Sequence, residues 1–282
     1  MTELNFFSPP QIGENIEGAC QRKCQVSFGR LFVLAILAGA YIAFGAELSI
    51  MVGHDIGMRM SIGFAKFLAG SVFSVGLMLV VIAGAELFTG DCLLAIPAMR
   101  CKVSWGALLR TWGIVYLGNF VGSIILVLFM YYSGLWKVDK NLVGAAALNI
   151  ANGKVHLSFV EALMRGIGCN WLVCLAVWMA ASAKNIVGKI FAIYFPIMAF
   201  VASGFEHSVA NMFFIPYGIF LKGVPAVIDA TGKGVAAFNG LTWGSLFVNN
   251  LIPVTIGNII GGAFFVGILY WYIYLKKEKG KI

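Results

Sequence analysis

Apolar residues run through this chain in stretches of twenty or more with few charged interruptions. That pattern is neither the two-residue alternation of a half-exposed strand nor the narrow stripe of a surface helix. It matches helices that cross a hydrocarbon core, for which about 20 residues suffice. Six spans are expected, near residues 30–50, 64–83, 107–132, 159–182, 189–220 and 249–274. The second does not stop at Ala83, because the chain stays apolar to Met99 except around Glu86 to Asp91. That length exceeds one crossing and predicts a half-helix, a loop at membrane depth and a second half-helix. The fifth is interrupted in the same way between Gly204 and Asn211.

The two interruptions read as copies. Residues 84–91 are Gly-Ala-Glu-Leu-Phe-Thr-Gly-Asp and residues 204–211 are Gly-Phe-Glu-His-Ser-Val-Ala-Asn, at a constant offset of 120. Gly-Asn-x-x-Gly also occurs twice, at Gly118 to Gly122 and at Gly257 to Gly261. The expected architecture is therefore all-α and polytopic, with broken second and fifth helices and two three-helix repeats, about 30–135 and 158–275. An odd number of spans per repeat inverts one against the other, and matched breaks in two halves point to a transport site at the midplane. Residues 1–29 form an amino-terminal segment with an amphipathic helix around 11–28, and residues 276–282 a basic tail. A polar linker is expected at 136–156.

Composition supports immersion in lipid. The chain is 60% hydrophobic and 11% charged, with a mean hydropathy of +0.90; soluble domains carry roughly 25% charged residues. The net charge of +8 needs no nucleic acid, because Lys and Arg collect in cytoplasmic loops. With the amino terminus inside, twelve lie on the cytoplasmic face and eight outside. Both termini are thus expected in the cytoplasm. No cleavable signal is read ahead of the first apolar run, which then serves to insert the chain. The six cysteines read as free thiols rather than a metal set, and no nucleotide or metalloprotease motif appears. No cofactor, metal or enzymatic role is expected.

Few side chains remain that could do chemistry. His207 is ionisable, titrates near neutral pH when unperturbed, and falls inside the second break, so it reads either as a pathway residue or as a partner for an orphaned backbone group. Glu86 and Glu206, with Asp91 and Asn211 five residues further on, suit the N–H groups left free where helices stop; direct substrate contact by the two Glu is the other reading. Half-helix amino termini favour anions. Thr89 either caps its half-helix or offers a hydroxyl to the ligand. Lys154 either draws anions or is a solvated loop lysine. Phe73, Phe88, Phe200 and Phe205 lie near the breaks, where apolar constrictions can gate.

Residues 84–90, 204–212 and 250–258 (Asn-Leu-Ile-Pro-Val-Thr-Ile-Gly-Asn) resemble the signatures of the formate/nitrite transporter family, in the same order and over nearly the whole chain. The resemblance implies an aquaporin-like protomer with its own pore, a homo-pentamer in the inner membrane. It also implies a substrate path at His207, Thr89, Lys154 and Asn170, with constriction and gating at Phe73, Leu77, Leu87, Phe88 and Phe200. Small monovalent anions are the implied cargo, formate first, then nitrite or hydrosulfide. Protons pass with them, and His207 hands over a proton at the dry centre. A neutral-solute or cation channel is the alternative from a different class.

Overall fold

The computed structural model describes residues 5–276; residues 1–4 and the basic tail beyond Lys276 lie outside the described residues. The described chain is helical apart from one isolated bridge between Phe6 and Ala183. A surface helix α1 (Pro9–Gln25) precedes the first span α2 (Phe28–Gly53). The second span is broken into α3 (Ile62–Gly84) and α4 (Phe88–Met99), and α5 (Trp105–Ser133) is the third. Next come α6 (Leu142–Val155), the fourth span α7 (Phe159–Ser182), and the fifth, broken into α8 (Ile186–Ser203) and α9 (Ser208–Leu221). The sixth, α10, runs through residues 243–275. Among the described residues, six helices are long and apolar enough to cross a membrane, so the chain is an integral membrane protein.

Residues 136–156 differ from the polar linker expected. They contain α6, whose Val143, Ala147, Leu148, Ala151 and Val155 are buried at helical spacing, packed against α9. Asn149 and Asn152 lie off that face, while Lys154 turns inward to Glu206, and these polar letters are why the stretch reads as a linker. The sixth span starts earlier than expected and includes widened, i→i+5 turns at 246–251 and 260–268. Pro253 lacks the N–H that would bond back to Asn249, and such widening often sits at functional positions.

Both copies of Gly-Asn-x-x-Gly are sites of close helix approach. A Cβ at Gly122 would lie 1.9 Å from the Ile36 carbonyl oxygen on α2, and one at Gly261 would lie 2.2 Å from that of Ile167 on α7. In each repeat the third span therefore presses backbone to backbone on the first, as small residues permit in lipid. Gly84 and Gly204 end the first half-helices with φ of +90 and +77, a conformation open to glycine at little cost.

Helix α1 is bound to the rest of the chain at its buried Glu17, which pairs with Arg100 at 2.8 Å and with Lys102. Burial pushes the Cys20 thiol on the same helix up to about 12, and all six cysteines are unpaired.

Replacing Gly122 by Leu is expected to destabilise the protein by at least about 1–3 kcal/mol, the usual cost of overpacking, whereas Gly113→Ala on the same helix, where a Cβ meets nothing within 4 Å, stays near wild type. Thermal unfolding in detergent followed by size-exclusion recovery measures both.

Candidate functional site

A helix that stops inside a membrane leaves N–H and C=O groups with no water to bond. The two breaks solve this with the same hydrogen bonds. In the first, Asn119 Oδ1 accepts from the Phe88 N–H at 2.9 Å while its Nδ2 donates to the carbonyls of Ala35 (2.7 Å) and Glu86 (2.9 Å). In the second, Asn258 Oδ1 accepts from the Ser208 N–H at 2.9 Å, and its Nδ2 donates to the carbonyls of Gly166 (2.8 Å) and Glu206 (3.0 Å). The Glu86 and Glu206 N–H groups donate to the carbonyls of Leu34 and Arg165, each at 3.2 Å. The asparagines are those of the two Gly-Asn-x-x-Gly motifs: the glycines bring the helix close, and the amide then reaches the break. Each orphaned buried group would otherwise cost about 1–3 kcal/mol.

The acid side chains at the breaks meet lysines. Lys154 donates to Glu206 Oε1 at 2.9 Å and sits 5.2 Å from the Phe214 ring centre. Asn211 Nδ2 donates to Glu206 Oε2 at 2.6 Å and to Asn250 Oδ1 at 2.7 Å. On the other side Lys23 lies 2.6 Å from Glu86 and 2.7 Å from Asp91. Burial works against the Lys23 ammonium, but Asp91 and Glu86 outweigh it and hold the group above its ordinary range. A raised ammonium stabilises at every pH below its ordinary value, so this contribution is intact at neutrality and fades only as pH climbs through the raised value. Lys23 stands 11 residues before Leu34, as Lys154 stands 11 before Arg165, and that spacing is the signal by which it could have been found. It was legible only as one charge among the cytoplasmic twelve.

Two cavities lie at the breaks, one beside residues 204–207 and one beside residues 84–87. One, of 480 Å³, is lined by Lys154, Glu206, Phe73, Phe200 and His207 among others. The second, of 410 Å³, is lined by Lys23, Glu86, Leu77, Leu87 and Gly90 among others. Phe73 and Phe200 line the first and Leu77 and Leu87 the second, and all four are at least 97% buried. Phe73 meets Phe200 edge to face at 5.6 Å, and Phe200 stacks beside His207 at 5.9 Å.

The two breaks meet through a polar contact, His207 Nε2 to Thr89 Oγ1 at 3.0 Å. His207 Nδ1 accepts the Ala210 N–H at 3.1 Å, capping α9. A nitrogen that accepts carries no hydrogen, so the neutral ring holds its proton on Nε2 and donates it to Thr89. The Thr89 hydroxyl hydrogen is then left for another acceptor.

Three residues expected on the pathway or its gate line neither cavity, and fully buried Thr89 is one of them. Asn170 lines neither cavity; its Nδ2 donates to the Thr89 carbonyl at 3.1 Å and to the Asn258 carbonyl at 2.6 Å, so it fixes the backbone that presents the Thr89 hydroxyl. Phe88 also lines neither, and packs edge to face on Tyr116 (4.9 Å) and Trp112 (5.9 Å). Residues 84–87 all line the second cavity, while Phe88, first in the new helix, faces α5. Asp91, Asn211, Glu86 and Glu206 all stand at the breaks, joined by the bonds above.

A sequence model described as formate/nitrite transporter matches residues 10–272. A probable formate transporter of Methanothermobacter thermautotrophicus is 44% identical over 97% of this chain and 99% of its own. The formate channel FocA of Escherichia coli (strain K12) is 43% identical over 88% of each chain. Among solved structures, a pentameric formate channel with formate bound superposes with a TM-score of 0.82 at 43% identity, over 88% of this chain and 98% of its own. By its match over most of its length and its identity to these relatives, this chain is a member of the formate/nitrite transporter family.

Proposed function

We propose that the chain passes small monovalent anions across the membrane, formate first among them, between the Lys154 and Lys23 cavities. The observation that carries this is the arrangement at the breaks: two lysine-bearing cavities lined by those four buried apolar side chains, with His207 and Thr89 as the polar pair joining the breaks. The names of the relatives favour formate over nitrite or hydrosulfide. A cation path is disfavoured because an ammonium meets the carboxylate at each break, Lys154 at Glu206 and Lys23 at Glu86, though Asp91 adds a second carboxylate on the Lys23 side. Carrying a bare charge through so dry a zone is costly, so the anion crosses as its conjugate acid or bonded to the two hydroxyl and imidazole donors. Phe73 with Phe200, and Leu77 with Leu87, form the constriction.

His207 enters as a hydrogen-bond donor through Nε2. A relay, in which His207 gives that proton to the anion, adds a requirement. The ring must first become imidazolium, and after transfer the proton left on Nδ1 faces the Ala210 N–H, so the cap of α9 has to open. Glu86, Glu206, Asp91 and Asn211 brace the breaks in this reading and do not contact the anion.

The repeats are read as including their lead-in helices, since Lys23 on α1 and Lys154 on α6 serve equivalent acids. Exposed apolar side chains such as Leu109, Leu117, Phe129 and Phe195 fit lipid or a homo-pentamer like that of the solved relative. The α1 face, with Arg22, Arg100, Lys102 and Lys184, is assigned to the cytoplasm of an inner membrane.

Uptake of formate into proteoliposomes at two pH values tests this reading. His207→Phe removes uptake, while His207→Gln, which keeps a donor but cannot titrate, retains it within about tenfold, or about 1.4 kcal/mol in barrier height; loss in both variants favours the relay. Reversal potentials that follow a cation gradient contradict the anion reading. Lys154→Gln is expected to leave Glu206 as an unpaired buried carboxylate, costing about 3–5 kcal/mol of stability and at least about tenfold in uptake. Lys154→Gln with Glu206→Gln recovers most of the lost stability, measured by thermal unfolding.

A further inference from the structure

At the rim of the Lys154 cavity, where α2 ends, His54 sits against the linker that follows α5. Its ring carries a buried nitrogen, Nε2, whose hydrogen bond does not close. Nδ1 lies 2.8 Å from the Met51 carbonyl oxygen. A carbonyl can only accept, so Nδ1 carries a hydrogen, and in the neutral ring Nε2 is a lone pair. That lone pair points at another acceptor, Asp139 Oδ2, at 3.4 Å, and Nε2 is buried with no hydrogen-bond partner. Two acceptors facing each other need a cation between them. A carboxylate oxygen of Asp55 joins them, the three potential donor atoms lying within 4.8 Å of one another.

The cation is either a proton on Nε2, which gives a simple ion pair, or a metal ion. Three features favour the metal. The set converges three donors from two separate chain segments, more than one proton can use. An Nδ1–H bonded to a backbone carbonyl is the usual support of an Nε2 metal ligand. Asp55 is itself oriented, by Arg59 at 2.6 Å, as ligating carboxylates commonly are. One imidazole with two carboxylates suits a first-row divalent ion such as Zn²⁺, whereas Mg²⁺ prefers oxygen alone.

We infer that His54, Asp55 and Asp139 form a site for a transition-metal dication, Zn²⁺ in chemical class, at the mouth of the Lys154 cavity. His54 and Lys154 line the same 480 Å³ cavity, so the ion adds positive charge where an anion enters and staples the end of α2 to the 134–141 linker. Asp139, Lys140 and Asn141 hold φ of 50, 53 and 71, so the Asp139 carboxylate is presented by a chain with little freedom to retreat. The inference does not depend on which anion passes.

The test uses the full-length purified oligomer, stripped with chelator and titrated with Co²⁺ as a spectroscopic probe and with Zn²⁺ in competition. The expected result is a visible d–d absorption that saturates at one Co²⁺ per chain and is displaced by Zn²⁺ but not by equimolar Mg²⁺. His54→Gln and Asp139→Asn each weaken binding by at least about tenfold, the lower end of what disturbing a metal site's outer support already costs. Asp139 is over a third exposed, so Asp139→Asn supplies the folded comparison if His54→Gln fails to assemble. Absence of the absorption, or an absorption unchanged in both variants, overturns the inference and leaves an ion pair only.

Discussion

Everything near the centre of this protein depends on how two interrupted helices satisfy their backbones without water. Asn119 and Asn258 each close three hydrogen bonds at a break, one accepted and two donated. They can do so only because glycines on either side let their helices touch α2 and α7 at backbone distance. The break is then a fixed feature of the fold, and the residues that begin each second half-helix are held in place. Thr89 and His207 meet because both breaks are held in this way, with Asn170 tying the Thr89 carbonyl to that of Asn258.

The charged residues follow from the same geometry. Each break carries a glutamate, and each glutamate is met by a lysine from the helix that precedes the first span of that half, α1 or α6. A lysine paired in this way is a fixed hydrogen-bond donor at the edge of a cavity more than it is a free charge. The two sides differ: Lys154 faces one carboxylate with two amides behind it, whereas Lys23 faces two carboxylates, Glu86 and Asp91. The symmetry is therefore architectural, and the chemistry at each mouth is distinct.

Much of this was legible in the sequence. Long apolar runs report membrane helices directly, and the offset between Glu86 and Glu206 located the breaks because helix-stopping residues have few other uses at that depth. The Gly-Asn-x-x-Gly repeats were visible, yet the job of their asparagines was not, since a side chain's partner lies 31 or 50 positions away. Phe88 packs on α5 and Asn170 bonds the carbonyls of Thr89 and Asn258, partners that neighbouring letters do not encode. α6 was hidden by counting its Asn and Lys residues before its buried apolar spacing, and Lys23 by treating it as topology.

The claim that the two asparagines hold the breaks independently is tested most directly by amide hydrogen exchange on wild type and Asn119→Ala in detergent or nanodiscs. The account predicts that the segment containing Phe88 is as protected as the spans in wild type. In the variant it exchanges much faster while the segment containing Ser208 is unchanged. Unaltered protection at Phe88 in a folded Asn119→Ala protein would contradict it.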